Sequence, residues 1–570
     1  KLTRQQAYTP MKFSKVVITE NKKVYPGLDN IVYRASNNIA TKLTNFKGEE
    51  ATSGIEYDFV VTWNDNTADH STDGKGTFKC ETFHGNLCDQ IFFKARAELL
   101  NQQYLIYNKA FVEKEVESNK WNIVSTPMKN IYAGDFFVPL TTGREESKTA
   151  FSAMNFDKTS DNRVAAPVYQ RNWDSNETQI VDGGTQYKVH DFDGNNISIE
   201  SISDASMNVE SLYWSHVYNK LDENYSEGKG FALKAGDQYK TLSAKWLFRL
   251  PKEDEEYKYF KPDGGYSDLK VSVPKPEKYM LNVPYSNEPS LLGEISQPLT
   301  ANTHSNNLYY IVGNPYTASL SMYHFLNGNP SFERKVWTLD NGVLNAHIIP
   351  EGTYNRKDDY IIEPMQGFFV KVKEGATVSQ AYFTLMMTTD RWTSGGSAIS
   401  ETPAKMSINV VENGKRMAMV KVVVKDDADD DFNDDEDIEL LNNTELEDIP
   451  QVYTIAGTQA AALNALPKIG ILPFGVIAKE KKMVAVELEA NRYLDAPLYI
   501  LDAKTGTYTP ADNAIEIEAN EHGRYYITTA IYNIENDSEE NTIRCFSPQS
   551  GTITVSSLAS NLASVRIYTI

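Results

Sequence analysis

The densest group of potential metal ligands is an acidic run at residues 426–439, with ten acids and no base. Crowded carboxylates repel one another, and a bound Ca²⁺ relieves that repulsion. Two interpretations stay open: a solvated, partly mobile loop, which is typical of such runs, and a calcium site. The four residues that we predict as calcium ligands are Asp429, Asp431, Asn433 and Asp435.

A second candidate for calcium is formed by Asp191, Asp193 and Asn195, which place an oxygen-bearing side chain at every other position. This is the spacing at the start of a calcium-binding loop. The segment lacks the distal glutamate of a complete EF-hand pattern. Turns rich in Asn and Asp form the same pattern without a metal, and we favour that interpretation here.

The three cysteines are Cys80, Cys88 and Cys545. Cys80 and Cys88 flank a short polar turn, so a disulfide could join them across a hairpin in an oxidising compartment. Two unpaired thiols in strands are an equal alternative. The spacing does not form the paired Cys or Cys/His pattern of a zinc site.

Catalytic motifs are missing from the sequence. We find no nucleophile elbow, zinc-protease helix motif, Walker A loop or dinucleotide-binding glycine pattern. We therefore predict that the chain is not an enzyme, although two distant carboxylates of an all-β glycosidase would escape this search. Histidines on aromatic-rich strands, such as His216, His324 and His347, are more often core or loop residues than ligands.

A repeated phrase organises the chain. Residues 121–127 and residues 309–315 each combine an aromatic residue, an apolar pair, a small turn former and a proline. Each is followed by a Gly-Phe phrase, at Gly230 and at Gly367. The intervals from proline to glycine are 103 and 52 positions, and insertions of this kind are tolerated in surface loops. We expect the phrases to be scaffold and any binding specificity to lie in the loops, above all in the longer first loop.

Period-two alternation of apolar residues, with turns rich in Asn, Asp and Gly, predicts antiparallel β structure through most of the chain. We predict an all-β protein of several tandem antiparallel β-sandwich or jelly-roll-like domains, including two related modules. The predicted units are an N-terminal β domain (1–115), the first module (116–275), the second module (276–392), a linker (393–403), a β-sandwich (404–532) and the start of a C-terminal domain (533–570).

The net charge and the distribution of apolar residues argue against some classes of binding partner. The formal net charge is −21, which argues against nucleic acid or an anionic membrane as the main partner. No apolar run approaches the roughly 20 residues that span a bilayer. The first residues lack the hydrophobic segment of a signal peptide, and the end lies in mid-strand pattern. We therefore expect the chain to begin inside a longer precursor or after processing, and we interpret it as a fragment.

The C-terminal pattern of a short strand, a turn rich in Ala and Ser and the strand at residues 565–568 resembles the type A sorting domain of Bacteroidetes. The usual Gly-Arg/Gln continuation after that strand is missing. The phrases at 120–135 and 364–371 look like modules of large surface proteins in that phylum, and residues 404–530 resemble the β-sandwich that often precedes the sorting domain. The resemblance implies export by the type IX secretion system to the medium or the outer surface of a Gram-negative bacterium.

Three functions follow as hypotheses. The leading one is a non-catalytic structural or adhesive scaffold at the cell surface, whose partners are the secretion machinery and copies of itself. The second is a carbohydrate-binding adhesin that stacks sugar rings on tryptophans. The five tryptophans available for that role are Trp173, Trp214, Trp246, Trp337 and Trp392, although we favour core or rim positions for most of them. The third is the accessory region of a secreted polysaccharide- or protein-degrading enzyme.

Overall fold

The computed structural model describes the chain in stretches, and β-strands dominate them. The described stretches are residues 87–99, 107–136, 168–173, 222–235, 245–251, 278–283, 293–299, 308–388, 404–441 and 450–531, with gaps at 226, 353, 355–358, 479–480, 492–493 and 495, together with residue 102 and the strands named below. In this part the helical elements are α1 (Met322–Gly328) and two 3₁₀ turns, Ala133–Phe136 and Leu385–Met387. The prediction of an all-β fold is confirmed.

The first described strands build a mixed sheet. They are β1 (Lys12–Ile18), β2 (Lys23–Val24), β3 (Val32–Ala35), β4 (Leu43–Asn45), β5 (Phe59–Thr62), β6 (Leu87–Phe93), β7 (Glu98–Leu99) and β8 (Tyr107–Glu117). Six of them pair in the order β8-β6-β1-β5-β3-β4. Three of these pairs, β1 with β6, β6 with β8 and β3 with β5, are parallel. The prediction of antiparallel strands therefore does not hold throughout this sheet. The alternation of apolar and polar residues indicates which face of a strand is buried, but it does not indicate the direction of the strand.

The next region contains the first repeated phrase. Its strands are β9 (Trp121–Val124), β10 (Val168–Trp173), β11 (Lys188–His190), β12 (Asn196–Ser198), β13 (Trp214–His216), β14 (Phe231–Ala235), β15 (Lys245–Leu250), β16 (Glu256–Tyr257) and β17 (Val271–Ser272). β9 pairs directly with β14, so the opening phrase and its Gly-Phe phrase are neighbours in an antiparallel sheet of order β13-β10-β14-β9. β15 lies within the predicted first module, yet it joins β8 as the seventh strand of the N-terminal sheet.

The second repeated phrase builds a sheet with the same order. Its region contains β18 (Ile295–Pro298), β19 (Tyr309–Gly313), β20 (Leu320–Ser321), β21 (Phe332–Asp340), β22 (Val343–Ile348), β23 (Ile361–Ile362), β24 (Gly367–Val372) and β25 (Gln380–Phe383). The four-stranded sheet runs β19-β24-β21-β22, which matches β9-β14-β10-β13 strand for strand. α1 precedes β21, and its first turn is capped by the Ser321 hydroxyl, which accepts a hydrogen bond from His324 N.

Both faces of the second module's sheet are buried, and they pack against different partners. Val312, Phe368 and Val370 point to the module's own core, which includes Phe325 of α1. The alternate residues of the same strands point the other way, toward the first module and the C-terminal sandwich. A sheet covered on both sides must be an internal layer of the assembly.

The C-terminal part is a β-sandwich with a hairpin beyond it. Its strands are β26 (Ala404–Glu412), β27 (Lys415–Val424), β28 (Ile438–Glu439), β29 (Gln451–Ala456), β30 (Gln459–Leu466), β31 (Ile471–Ile477), β32 (Met483–Ala490), β33 (Tyr499–Asp502), β34 (Thr507–Pro510), β35 (Ile515–Glu518), β36 (Tyr525–Thr528), β37 (Ile543–Gln549) and β38 (Thr552–Ser557). The main path is β34-β33-β36-β31-β29-β30-β27-β26-β32-β35. Alternate residues of these strands, among them Val420, Phe474 and Ile527, fill one core. β37 and β38 pair with each other, and β37 also bridges β30.

Candidate functional site

The acidic run begins after β27 and continues into β28, and its loop is folded around Asn433. The Asn433 side chain donates from Nδ2 to Asp429 Oδ2 at 2.7 Å and accepts at Oδ1 from Asp435 N at 3.0 Å. Its backbone N donates to Asp437 Oδ2 at 2.8 Å, and its carbonyl accepts from Asp437 N at 2.7 Å. These bonds link the two ends of the acidic run through one asparagine.

Asp437 is the buried member of the acidic run. Its side chain is inaccessible to solvent, and its Oδ1 accepts a hydrogen bond from Ala465 N at 2.7 Å. Burial raises the pKa of Asp437 to about 6, against the two backbone N–H donors that favour the ionised form. This carboxyl therefore anchors the loop to strand β30 at an electrostatic cost.

The four predicted calcium ligands share one loop but have different neighbours. Asp429 and Asn433 are joined directly, whereas Asp431 packs against Gly457, whose N–H donates to Asp430 O at 3.1 Å. Asp435 is exposed. Within the described residues, no group of three or more His, Cys, Asp or Glu side chains is arranged to hold a metal ion. Calcium at this loop stays a prediction.

The other predicted site residues lie outside the part of the chain whose side chains are described. Asp191, Asp193 and Asn195 fall between β11 and β12, outside the described residues. Cys80 also falls outside them, and Cys88 lies on β6, where the structure gives the backbone path alone. Both the second calcium hypothesis and the disulfide stay predictions.

A network of buried charges joins the sandwich to the second module. Glu439 of β28 lies 2.7 Å from Lys371 Nζ and 3.5 Å from Lys335 Nζ, and it accepts from the Tyr309 hydroxyl at 2.6 Å. Lys335 also pairs with Asp434 of the acidic loop at 3.0 Å. The Glu439 and Lys335 side chains are 13% and 4% exposed, so these ion pairs are shielded from solvent.

The environment of Glu439 keeps it ionised. Burial acts to raise the pKa of its carboxyl, but the ammonium groups of Lys335 and Lys371 and the hydrogen bonds outweigh burial and hold the pKa below its ordinary value. Burial acts to lower the pKa of Lys371. The attraction and the hydrogen bond of Glu439 outweigh burial, so the pKa of Lys371 is raised. Glu333 of the second module, 3.2 Å from Lys371 and 3.9 Å from Lys335, adds to the stabilisation of both ammonium groups.

An apolar cluster lies beside this network and contains residues of three units, and we call it the junction cluster. Its members are Trp121, Ile123 and Ala232 of the first module, Ile311, Trp337, Leu339, Ala346 and Phe369 of the second, and Ile438, Leu441, Ala462 and Leu463 of the sandwich. Trp121, Trp337 and Phe369 have no solvent-accessible surface. Such a cluster is the core of a permanent interface, because opening it would expose large aromatic surfaces to water.

Sequence reasoning missed this network, although a signal for it was present. Lys371 and Phe369 are two positions apart on β24, and so are Lys335 and Trp337 on β21. Residues at i and i+2 of a strand share a face. A lysine on the same face as a large aromatic residue indicates a charge at a buried interface, where it needs a carboxylate partner.

The structure describes the side chains of three of the five tryptophans considered for sugar stacking. Trp246 and Trp337 are buried, and Trp173 is half-buried and donates from Nε1 to Tyr309 O at 2.9 Å. Trp214 lies on β13 with its side chain undescribed, and Trp392 is outside the described residues. The described rings therefore serve packing.

The described histidines of the second module also pack. His347 stacks on Tyr360 with ring centroids 3.5 Å apart, and burial lowers the pKa of His347 well below its ordinary value. His324 of α1 lies against Tyr354, with centroids 4.6 Å apart.

Comparison with known proteins yields no family, since no protein-family model, curated protein or solved structure matches the chain. In the described residues, no helix combines the length and the apolar character that a bilayer crossing requires.

Proposed function

We propose that this chain is a rigid, non-catalytic segment of a large exported protein and acts as a structural or adhesive scaffold at a bacterial cell surface. The observation that carries the proposal is the junction cluster, in which two modules and the sandwich share one apolar core. Domains joined in this way transmit position and load from one to the next, whereas domains on flexible linkers do not.

The arrangement of buried charges supports a structural role over catalysis. Lys335 and Lys371 are paired with Glu439 and Asp434 across the domain boundary and with Glu333 of their own module. Catalytic groups instead face a cleft where a substrate can reach them. A screen of polysaccharide and protein substrates should give no turnover, and reproducible turnover abolished by a point substitution in the chain would overturn the non-catalytic assignment.

Rigidity is tested by small-angle X-ray scattering of the full chain. We expect the arrangement of the second module and sandwich to fit as one body, and Glu439→Gln to broaden the fitted distribution of their orientations. The matched control is Lys481→Met, which removes an exposed lysine paired with Glu518 and Glu521 on the sandwich surface. A wild-type scattering curve that can be fitted only with many orientations of the second module and the sandwich would contradict a rigid scaffold.

Export by the type IX secretion system is proposed on the sequence resemblance at residues 565–568 and 404–530. The test is antibody labelling and protease shaving of intact cells that express the complete gene. Surface signal that disappears in a secretion-deficient strain supports export. Retention of the product inside wild-type cells would contradict the proposal of export.

Binding to surface glycans is the alternative adhesive role. A glycan array probed with the folded chain separates adhesin from scaffold, because specific and saturable binding identifies a sugar ligand. Self-association, measured by sedimentation velocity over a range of concentrations, tests whether copies of the chain are partners instead.

A further inference from the structure

A cleft lies between the second module and the sandwich, beside the junction cluster. Its volume is about 760 Å³, which is within the range of small-molecule binding sites. One wall is the end of β22 and the residues after it, including Ile348, and the other is formed by β26, β27 and the end of β32. We call it the basic cleft.

Lys421 of β27 lies in the basic cleft without a carboxylate partner. Its Nζ donates to Ala346 O at 3.2 Å and lies 3.4 Å from His347 Nδ1, and both are neutral acceptors. Burial lowers the pKa of Lys421 to about 8, and the nearby charges of Lys405 and Arg416 add to the effect. The ammonium is therefore in a place where an anion would stabilise it.

The remaining charges leave the cleft positive in a strongly acidic protein. Lys425 pairs with Glu436, and Arg416 pairs with Glu489 at 2.7 Å. Among the described residues, the cations that line the cleft without an ion pair are Lys405 and Lys421, and the one unpaired carboxylate is the exposed Asp435. The site thus favours a ligand with negative charge.

The walls of the basic cleft are largely aliphatic. Met419 and Val423 stand on the same face of β27 as Lys421, since they are two positions away on either side. Across from them lies Ile348. The described lining contains no Phe, Tyr or Trp, and its one aromatic ring, His347, is stacked on Tyr360, so the cleft offers little flat surface on which a sugar ring could stack.

We propose that the basic cleft binds a small organic anion with an aliphatic body and a single acidic head group, which Lys421 contacts. The body lies along Met419 and Val423, and the head group replaces water at the Lys421 ammonium. Lys405 at the rim adds a second favourable charge. A carboxylate and a sulfate head group share this chemistry.

Isothermal titration calorimetry of the full chain with decanoate, decyl sulfate and decanol tests the proposal. We expect at least one anion to bind more tightly than decanol, and the tighter anion identifies the head group. Lys421→Met should weaken that binding tenfold or more. Because Lys421 has no carboxylate partner in the described structure, this variant leaves no counter-charge unpaired and should fold.

Two further variants complete the test. Lys468→Met removes an exposed lysine that does not line the cleft, and it should bind as the wild type does. Met419→Glu places a carboxylate beside Lys421, and it should abolish binding of both anions. The proposal is overturned if neither anion binds, if decanol binds as tightly as the anions, or if Lys421→Met retains wild-type affinity.

Discussion

Ser125 and Gly313 occupy equivalent positions in the two repeated phrases and lie against each other where the modules meet. A Cβ atom on Gly313 would fall 2.0 Å from Ser125 Cβ. Gly313 N donates to Gly228 O at 2.8 Å, and Ser125 N donates to Met365 O at 3.3 Å. Since Gly228 and Met365 are themselves equivalent, the two hydrogen bonds are related by a local two-fold axis.

The same symmetry relates other contacts of the junction. Val124 bridges Gln366, and Val312 bridges Lys229, so each module makes the contact that its partner makes. The two sheets therefore meet as an internal pair, in the way that two copies of one chain meet in a symmetric dimer. The repeated phrase is the surface by which the modules join, and a small residue, Ser125 or Gly313, stands at the point of contact in each copy.

Gly313→Ala is expected to destabilise the protein, because its methyl group has no room beside Ser125. Overpacking of this kind costs about 1–3 kcal/mol. Urea denaturation followed by tryptophan fluorescence measures the shift in midpoint. Gly470→Ala is the control, since nothing lies within 4 Å of its added Cβ, and it should leave the midpoint almost unchanged.

The exchange variant Ser125→Gly with Gly313→Ala tests the cause of that loss. It removes the clash by deleting the Cβ atom at position 125 where one is added at position 313, so part of the lost stability should return. Rescue remains partial because the Ser125 hydroxyl donates to Asn314 O and Gln366 O. Equal instability of the single and the double variant would show that the contact is not responsible.

Glu439→Gln is expected to destabilise the sandwich–module interface by about 1–3 kcal/mol, because two largely buried lysines lose the carboxylate that they share across it. Glu333 and Asp434 remain as their counter-charges, which keeps the cost below that of a buried charge with no partner. Differential scanning calorimetry detects the change. Lys481→Met, which breaks exposed pairs with Glu518 and Glu521, should leave the transition almost unchanged. Combining Glu439→Gln with Lys371→Met should cost less than the sum of the two single changes, and strict additivity would contradict direct coupling.

The strands and the repeat were predictable because burial on one face imposes a period of two on the sequence, and burial on both faces gives a short apolar run bounded by turn residues. Trp121 to Val124 and Tyr309 to Gly313 are strands for that reason. The direction of β6 against β1 was not predictable, since it depends on connections that carry no periodic signal. The loop at residues 426–439 was predicted from its charge alone. Its hydrogen bonds at Asn433 and Asp437 were not predictable, because one of their partners is Ala465 on a strand distant in sequence.

The calcium hypothesis for Asp429, Asp431, Asn433 and Asp435 predicts a higher melting temperature in Ca²⁺ than in a chelator. A ligand that binds only the folded state stabilises it in proportion to the logarithm of its concentration. Asp429→Asn with Asp435→Asn should abolish the difference, whereas Asp512→Asn, on another loop of the sandwich, should preserve it. Identical melting temperatures of the wild type in both solutions would remove calcium from this loop.

Asp437 should make the protein less stable as the pH rises through the range from about 4 to about 6. Burial raises its folded pKa to about 6, above the value of about 3.9 in an unfolded chain, so the folded state holds the proton more tightly. The stability that this carboxyl contributes is complete below its unfolded pKa, falls as the pH rises, and is lost above its folded pKa. Asp437→Asn cannot titrate, so the free energy of unfolding of the wild type minus that of the variant should decline between pH 4 and pH 6 and stay level above it. Urea denaturation of both proteins across that range measures the difference, and a flat difference would contradict the buried, proton-binding state of Asp437.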